Sequence, residues 1–147
     1  MTPQTSPRSV GRSAFVASVY AVLLVLAGVP AALVLPRTED LEAVRLLSEF
    51  GPGFMLLVLV LGALVEEALF RGPLWVALTR LVSTRAAVYA TTALFVAFHA
   101  YSDPAHGVAV ALPALVLAHA RQHAGFWTTA AAHAMRNAAA WSVLALA

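Results

Sequence analysis

Leu64–Gly72 reads LVEEALFRG, and it sets three ionisable side chains, Glu66, Glu67 and Arg71, inside the most apolar run of the chain. What those charges cost depends on the medium around them, and the composition identifies the medium. The 147 residues are 61% hydrophobic and only 11% charged, with a mean hydropathy of +0.84, whereas soluble domains carry about 25% charged residues. The chain therefore reads as an integral membrane protein. Its long apolar runs predict an all-α, polytopic transmembrane helical bundle of about five spans. The absence of cysteine excludes disulfides, thiolate catalysis and Cys-ligated zinc. All nine basic residues are arginine, a habit of composition, and the pI near 9.7 rests on a formal charge of +2. Nothing resembles a nucleic-acid surface.

Outward from that stretch, the second span runs from Phe54 to Leu78. Before it, residues 1–13 form a polar segment with Arg8 and Arg12, and Ala14–Leu35 is long enough for a first span. It is read as a span and not a signal peptide, because Pro30 lies near its end and no small-residue cleavage site follows. The connector PRTEDLEAVRLLSEFGPG (36–53) holds four acidic residues and an apolar pattern, Leu41, Val44, Leu46 and Leu47, that suits a short interfacial helix. After a basic turn (79–85), Ala86–Tyr101 forms the third span. Asp103 and Pro104 then start a fourth helix as N-cap and first helical residue. That helix is expected over Pro104–His119, short for a span and with Pro113 as a candidate break. A turn (120–127) leads to the fifth helix, Thr128–Ala147. No repeat or second domain is visible, so 14–147 reads as one membrane-embedded domain. Arginines at 8, 12, 80, 85 and 121 alternate with the acidic connector and the arginine-free 101–107 loop, which predicts a cytoplasmic N-terminus and an external C-terminus.

An ionisable residue at membrane depth costs about 2.5–3.5 kcal/mol on insertion scales, so it faces a bundle interior or cavity. Glu66 and Glu67 lie ~18 Å of helical rise from Phe54, near mid-membrane. Arg71 follows Glu67 by four residues and shares its face, in the favourable Glu-first order. Glu66 lies about 100° round the helix and is left without that partner. In FVAFHA, His99 follows Phe95 by one turn on the same face. In AAHAMRNAA, His133 and Asn137 are again four apart, and Asn137 is the only asparagine in the chain. Arg136 is expected to point elsewhere on that helix, toward the interface, and His106, His119 and His123 to be interfacial at span ends.

Taken singly, each group has a structural explanation: a Glu–Arg clasp, a packing histidine, an interhelical hydrogen bond worth about 1 kcal/mol. Three helices each turning such a group toward one cavity suggest hydrolysis by an activated water, with a general base, an orienting partner and oxyanion donors. No serine is placed as a nucleophile beside a histidine. The helical zinc motif H-E-x-x-H is absent, although His99, His133 and Glu66 could still converge as a metal-binding set.

EEALFR (Glu66–Arg71) fits E-E-x-x-x-R, FVAFH (Phe95–His99) fits F-x-x-x-H, and HAMRN (His133–Asn137) fits H-x-x-x-N. In this order, on successive helices, the chain resembles the CPBP family, the CAAX-protease and bacteriocin-processing glutamic intramembrane endopeptidases. The resemblance implies an endopeptidase with no metal and no cofactor. Glu66 would be the general base that activates water with His99, and His133 and Asn137 would donate to the oxyanion. Glu67, Arg71 and Phe95 would support the site. It implies a membrane protein or peptide as substrate, cut near its C-terminus or the membrane border. A bacterial inner membrane is the expected location, with sorted surface proteins or peptide precursors favoured over prenylated CAAX proteins. Many relatives have more spans, so a second copy of this chain, in a homo-oligomer, is expected as one source of the missing entrance helices. His99 lies ~20 Å of rise from Arg85 but His133 only about 9 Å from Trp127, so the helices must tilt or enclose a funnel to meet. Two alternatives remain: an immunity or scaffold protein of the same fold, and a metal-dependent membrane hydrolase.

Overall fold

The computed structural model describes residues 49–146, together with 19, 20 and 22–24. Five helices make up the described part: α1 (Pro52–Phe70), α2 (Pro73–Leu81), α3 (Thr84–Ser102), α4 (Pro104–Ala124) and α5 (Phe126–Leu146). No strand occurs among these residues, as expected of an all-α bundle. Of the expected first span only residues 19, 20 and 22–24 are described; they are helical, and Leu24 is buried in a cluster with Leu117 and Ala132. The rest of that span, segment 1–13 and the connector up to residue 48 lie outside the described residues.

The expected second span is divided. α1 stops at Phe70 and α2 starts at Pro73, because Pro73 has no N–H to continue the ladder and disfavours helical backbone at the residue before it. That residue is Gly72, where a Cβ would collide with the carbonyl oxygen of Ala68. The carbonyl of Arg71, exposed by the break, accepts a hydrogen bond from Arg121 Nε on α4 at 2.8 Å. Arg121, expected in a turn, thus lies within a helix and fastens the break to α4. Its guanidinium also sits 5.7 Å from the Trp75 ring centre.

The third helix begins where Ser83 caps it, its hydroxyl accepting from Ala86 N–H at 3.3 Å. Asp103 is the single residue between α3 and α4, and its Oδ1 accepts from Ala105 N–H at 2.9 Å, as its pairing with Pro104 predicts. Beyond it the structure departs from expectation. α4 continues through Pro113 to Ala124 and ends only at Gly125, whose φ is +84°. Proline removes one hydrogen bond, but in an apolar medium a broken helix would strand several backbone groups without water, so one lost bond is the cheaper outcome.

α3 and α4 form an antiparallel hairpin. Ala100 meets Gly107 at its closed end, Phe95 packs with Val110 and Ala114 in its middle, and Val88 packs with Ala118 and Trp75 at its open end. α5 lies against α1 and α4. The polar residues Glu67, Arg71, Thr91, Thr129 and His133 are buried within the otherwise apolar interior, whereas Leu56, Leu57, Leu61, Val65 and Leu69 of α1 are exposed. In water a row of exposed leucines and valines of this kind would be unusual, whereas lipid accommodates it. Pro52–Leu81, which contains an 18-residue stretch with a mean hydropathy of 2.1, is the one described segment that is both long and apolar enough to cross a membrane. α3 to α5 have 19 to 21 residues each, but alanine, threonine and histidine dilute their apolarity.

The α3–α4 hairpin requires glycine at its crossing, since a Cβ on Gly107 would stand 2.5 Å from the Cβ of Ala100 and 2.9 Å from its Cα. Gly107→Val is therefore expected to destabilise the protein by roughly 1–3 kcal/mol, the usual cost of overpacking. Gly53→Ala, at an exposed helical site with open space, is expected to be neutral or slightly stabilising. Thermal unfolding of both variants in detergent, followed by loss of monodisperse protein, checks the contrast.

Candidate active site

Glu67 and Arg71 sit on the same face of the α1 terminus and are fully buried, with Arg71 Nη1 3.2 Å from Glu67 Oε1. The same carboxylate oxygen lies 2.9 Å from His133 Nδ1 on α5. A carboxylate offers only lone pairs, so His133 carries a hydrogen on Nδ1 and donates it there. Arg71 Nη2 donates to the backbone carbonyl of Ala114 on α4 at 3.1 Å, and the guanidinium lies 4.5 Å from the ring centre of Phe95 on α3. One buried ion pair thus touches α3, α4 and α5 as well as its own helix.

Glu66 points to a different place. Its carboxylate is 28% exposed, with Oε1 3.8 Å from His99 Nε2 and Oε2 3.7 Å from His133 Nε2. Those separations are too long for direct hydrogen bonds and suit one bridging water. His99 Nδ1 lies 2.9 Å from the carbonyl oxygen of Phe95. A carbonyl cannot donate, so Nδ1 carries the hydrogen, and Nε2 is the ring nitrogen turned toward Glu66. Phe95 is the shared floor: its ring stacks on His99 at 4.3 Å between centres and meets His133 edge-on at 6.2 Å.

Glu66, His99, His133 and Asn137 all line one cavity of about 320 Å³, whose remaining wall is largely apolar, with Met55, Leu59, Leu117 and Trp141 among its residues. The helical offsets that separate His99 from His133 in the sequence are reconciled, since both imidazoles reach the same carboxylate. Chemically, a carboxylate between two imidazoles can take a proton from water, and the Asn137 amide beside them can donate to a developing negative charge. Among the described residues no group of three His, Asp or Glu side chains is arranged to hold a metal ion.

Two residues expected at the interface belong to this cavity instead. His106 lines it, with its ring 5.1 Å from that of His99. The one-residue turn at Asp103 returns α4 so closely along α3 that His106 comes back beside His99. Arg136 also lines the cavity and donates from Nη1 to Asn137 Oδ1 at 3.3 Å. Its signal was present in the spacing, because a residue three after His133 shares that face of the helix.

Compared with known proteins, residues 48–139, more than half of the chain, match the model of a family described as type II CAAX prenyl endopeptidase, Rce1-like. Neither a curated protein nor a solved structure matches the chain.

The two adjacent carboxylates are expected to differ in what their removal does to stability. Glu67→Gln or Arg71→Met leaves a buried partner charge uncompensated and is expected to cost about 3–5 kcal/mol. Glu66→Gln, at a partly exposed site without a close ion pair, is expected to cost less than about 1 kcal/mol. Denaturant titration of the three variants in the same detergent measures the difference.

Proposed function

We propose, on the premise that the chain belongs to the Rce1-like family of type II CAAX prenyl endopeptidases, that it is an intramembrane endopeptidase using a water activated by Glu66 and His99. The observation that supports this most is the Glu66 carboxylate held between two imidazoles on a cavity wall, while its neighbour Glu67 is committed to Arg71. A water in the Glu66–His99 gap donates one hydrogen to Oε1 and one to the Nε2 lone pair. Its own lone pair is then directed at the scissile carbonyl carbon. As the C–O bond forms, Glu66 takes the proton, and as the C–N bond breaks it returns that proton to the leaving amine. The negative charge that builds on the carbonyl oxygen is met by the Asn137 amide and by His133 with a proton on Nε2. Glu67 holds His133 through Nδ1, so that Nε2 faces the cavity.

The substrate is a membrane-embedded polypeptide or one that emerges at the membrane border, cut near its C-terminus. The largely apolar cavity wall suits an unravelled end of a transmembrane segment, and the small size and composition of the chain favour sorted or precursor proteins of a bacterial inner membrane over prenylated chains. The arginine distribution favours a cytoplasmic N-terminus.

The test is cleavage of a library of tagged peptides and anchor segments by the protein reconstituted in lipid. Glu66→Gln is expected to lower kcat by about 10²–10⁴-fold, the usual contribution of a general base, while the variant stays folded. Activity is expected to persist in a zinc chelator. Equal cleavage by wild type and Glu66→Gln would overturn the assignment, and loss of activity with chelator would transfer the reaction to a metal.

A further inference from the structure

Asn137 can support a developing oxyanion only through its NH₂ group. The side-chain amide has two ends of opposite character, and rotation by half a turn would present the carbonyl oxygen to the same point, where it would repel the negative charge. The chemistry therefore needs something that distinguishes the two ends. Arg136 does so, because its guanidinium consists entirely of donors and has no acceptor. The amide end turned toward Arg136 Nη1 must be Oδ1, at 3.3 Å, since the opposite orientation would set donor against donor. This holds whichever way an amide is drawn, because it follows from the hydrogen inventory of the two groups.

We infer that Arg136 is a positioning residue for this reaction: by donating to Oδ1 of Asn137 it fixes the amide so that the two Nδ2 hydrogens face the cavity. The inference rests on the reading of Asn137 as an oxyanion donor. The setting strengthens the effect. Both residues are partly buried on a mostly apolar wall, where a mispaired donor costs more than it would in water. Among the described residues no carboxylate lies within ion-pair distance of Arg136, so its recorded polar contact is the one to Asn137. The rival role for such a cation is direct: it could receive a carboxylate of the substrate.

A spectroscopic and a kinetic measurement separate these roles. Asn137 is the only asparagine, so labelling with ¹⁵N-asparagine alone gives one side-chain NH₂ signal from the whole protein. Arg136→Met is expected to move that signal toward the position of a free amide, and Arg136→Lys, which keeps a donor, to leave it near its place in the wild type. An unchanged signal in Arg136→Met overturns the inference. With any peptide of the library that the wild type cleaves, Arg136→Met is expected to lower kcat about tenfold, less than the 10²–10³-fold of deleting an oxyanion donor, with KM unchanged. Arg136→Lys is expected to recover part of the loss. In an Asn137→Ala background the Met substitution should have no further effect. A full additional loss in that background, or a rise in KM alone, would mean that the guanidinium acts on the substrate itself. If Asn137→Ala cleaves as fast as wild type, the inference fails while Glu66→Gln still decides proteolysis. If the wild type cleaves nothing, the proposed function fails, and the signal still decides whether Arg136 orients Asn137.

Discussion

A single carboxylate oxygen, Glu67 Oε1, receives both Arg71 and His133, and the rest of the bundle is arranged around that meeting. A fully buried ion pair returns little net stability, because desolvation of both charges offsets their attraction. Its structural effect is one of selection. The groups around the Arg71 guanidinium come from α1, α3 and α4: a carboxylate, the face of Phe95 and the carbonyl of Ala114, which accepts the one hydrogen bond that the guanidinium donates among the described residues, from Nη2. A slide of α3 or α4 by one turn would take the Phe95 face or the Ala114 carbonyl away from the guanidinium, and a slide of α5 would part His133 from Glu67. The contacts that α3, α4 and α5 make to the pair thus add register-specific partners to an apolar packing that is largely between alanines, valines and leucines.

The same constraint orients the candidate chemistry. Two neighbouring residues on a helix are about 100° apart, so once Glu67 is committed to the interior, Glu66 is turned to the cavity. The bond from His133 Nδ1 to Glu67 leaves Nε2 toward Glu66, and the Phe95 ring that covers Arg71 also stacks on His99. Support and site are consecutive contacts of one network. Polar groups concentrate there because the outer faces carry leucine and valine, while the interior is where an ionisable group can find a partner.

Much of this could be read from residue spacing, and the part that could not has identifiable causes. Glu67 and Arg71 are four apart on one helix, so their pairing and the separateness of Glu66 follow from helical geometry alone. The bond between Glu67 and His133 spans 66 positions, and no local pattern says which helices are neighbours. The capping of α4 by Asp103 was legible, but the consequence of its one-residue turn, that His106 returns beside His99, required the helices to be placed. Hydropathy hid the break at Gly72 because Leu74, Trp75 and Val76 continue the apolar run beyond it. Pro113 misled in the opposite sense: a helix breaker in water is tolerated where a broken helix has no water to turn to. Arg136 was expected to point to the interface, although its spacing of three from His133 puts it on the same side of the helix, facing the cavity. The family match over residues 48–139 agrees with the three ordered motifs in a way that no single motif could have secured.

The division of labour between Glu66 and Glu67 is tested most directly by an experimental structure of the protein in lipid with a non-cleavable peptide bound, its scissile amide replaced by a hydroxyethylene group. The hydroxyl of that group stands in for the oxygens of the tetrahedral intermediate. The account predicts that it lies within hydrogen-bond distance of Glu66 and His99, with Asn137 Nδ2 on the opposite side and the Glu67–Arg71 pair undisturbed. A hydroxyl bound to Glu67, or to a metal ion held by His99 and His133, would contradict it.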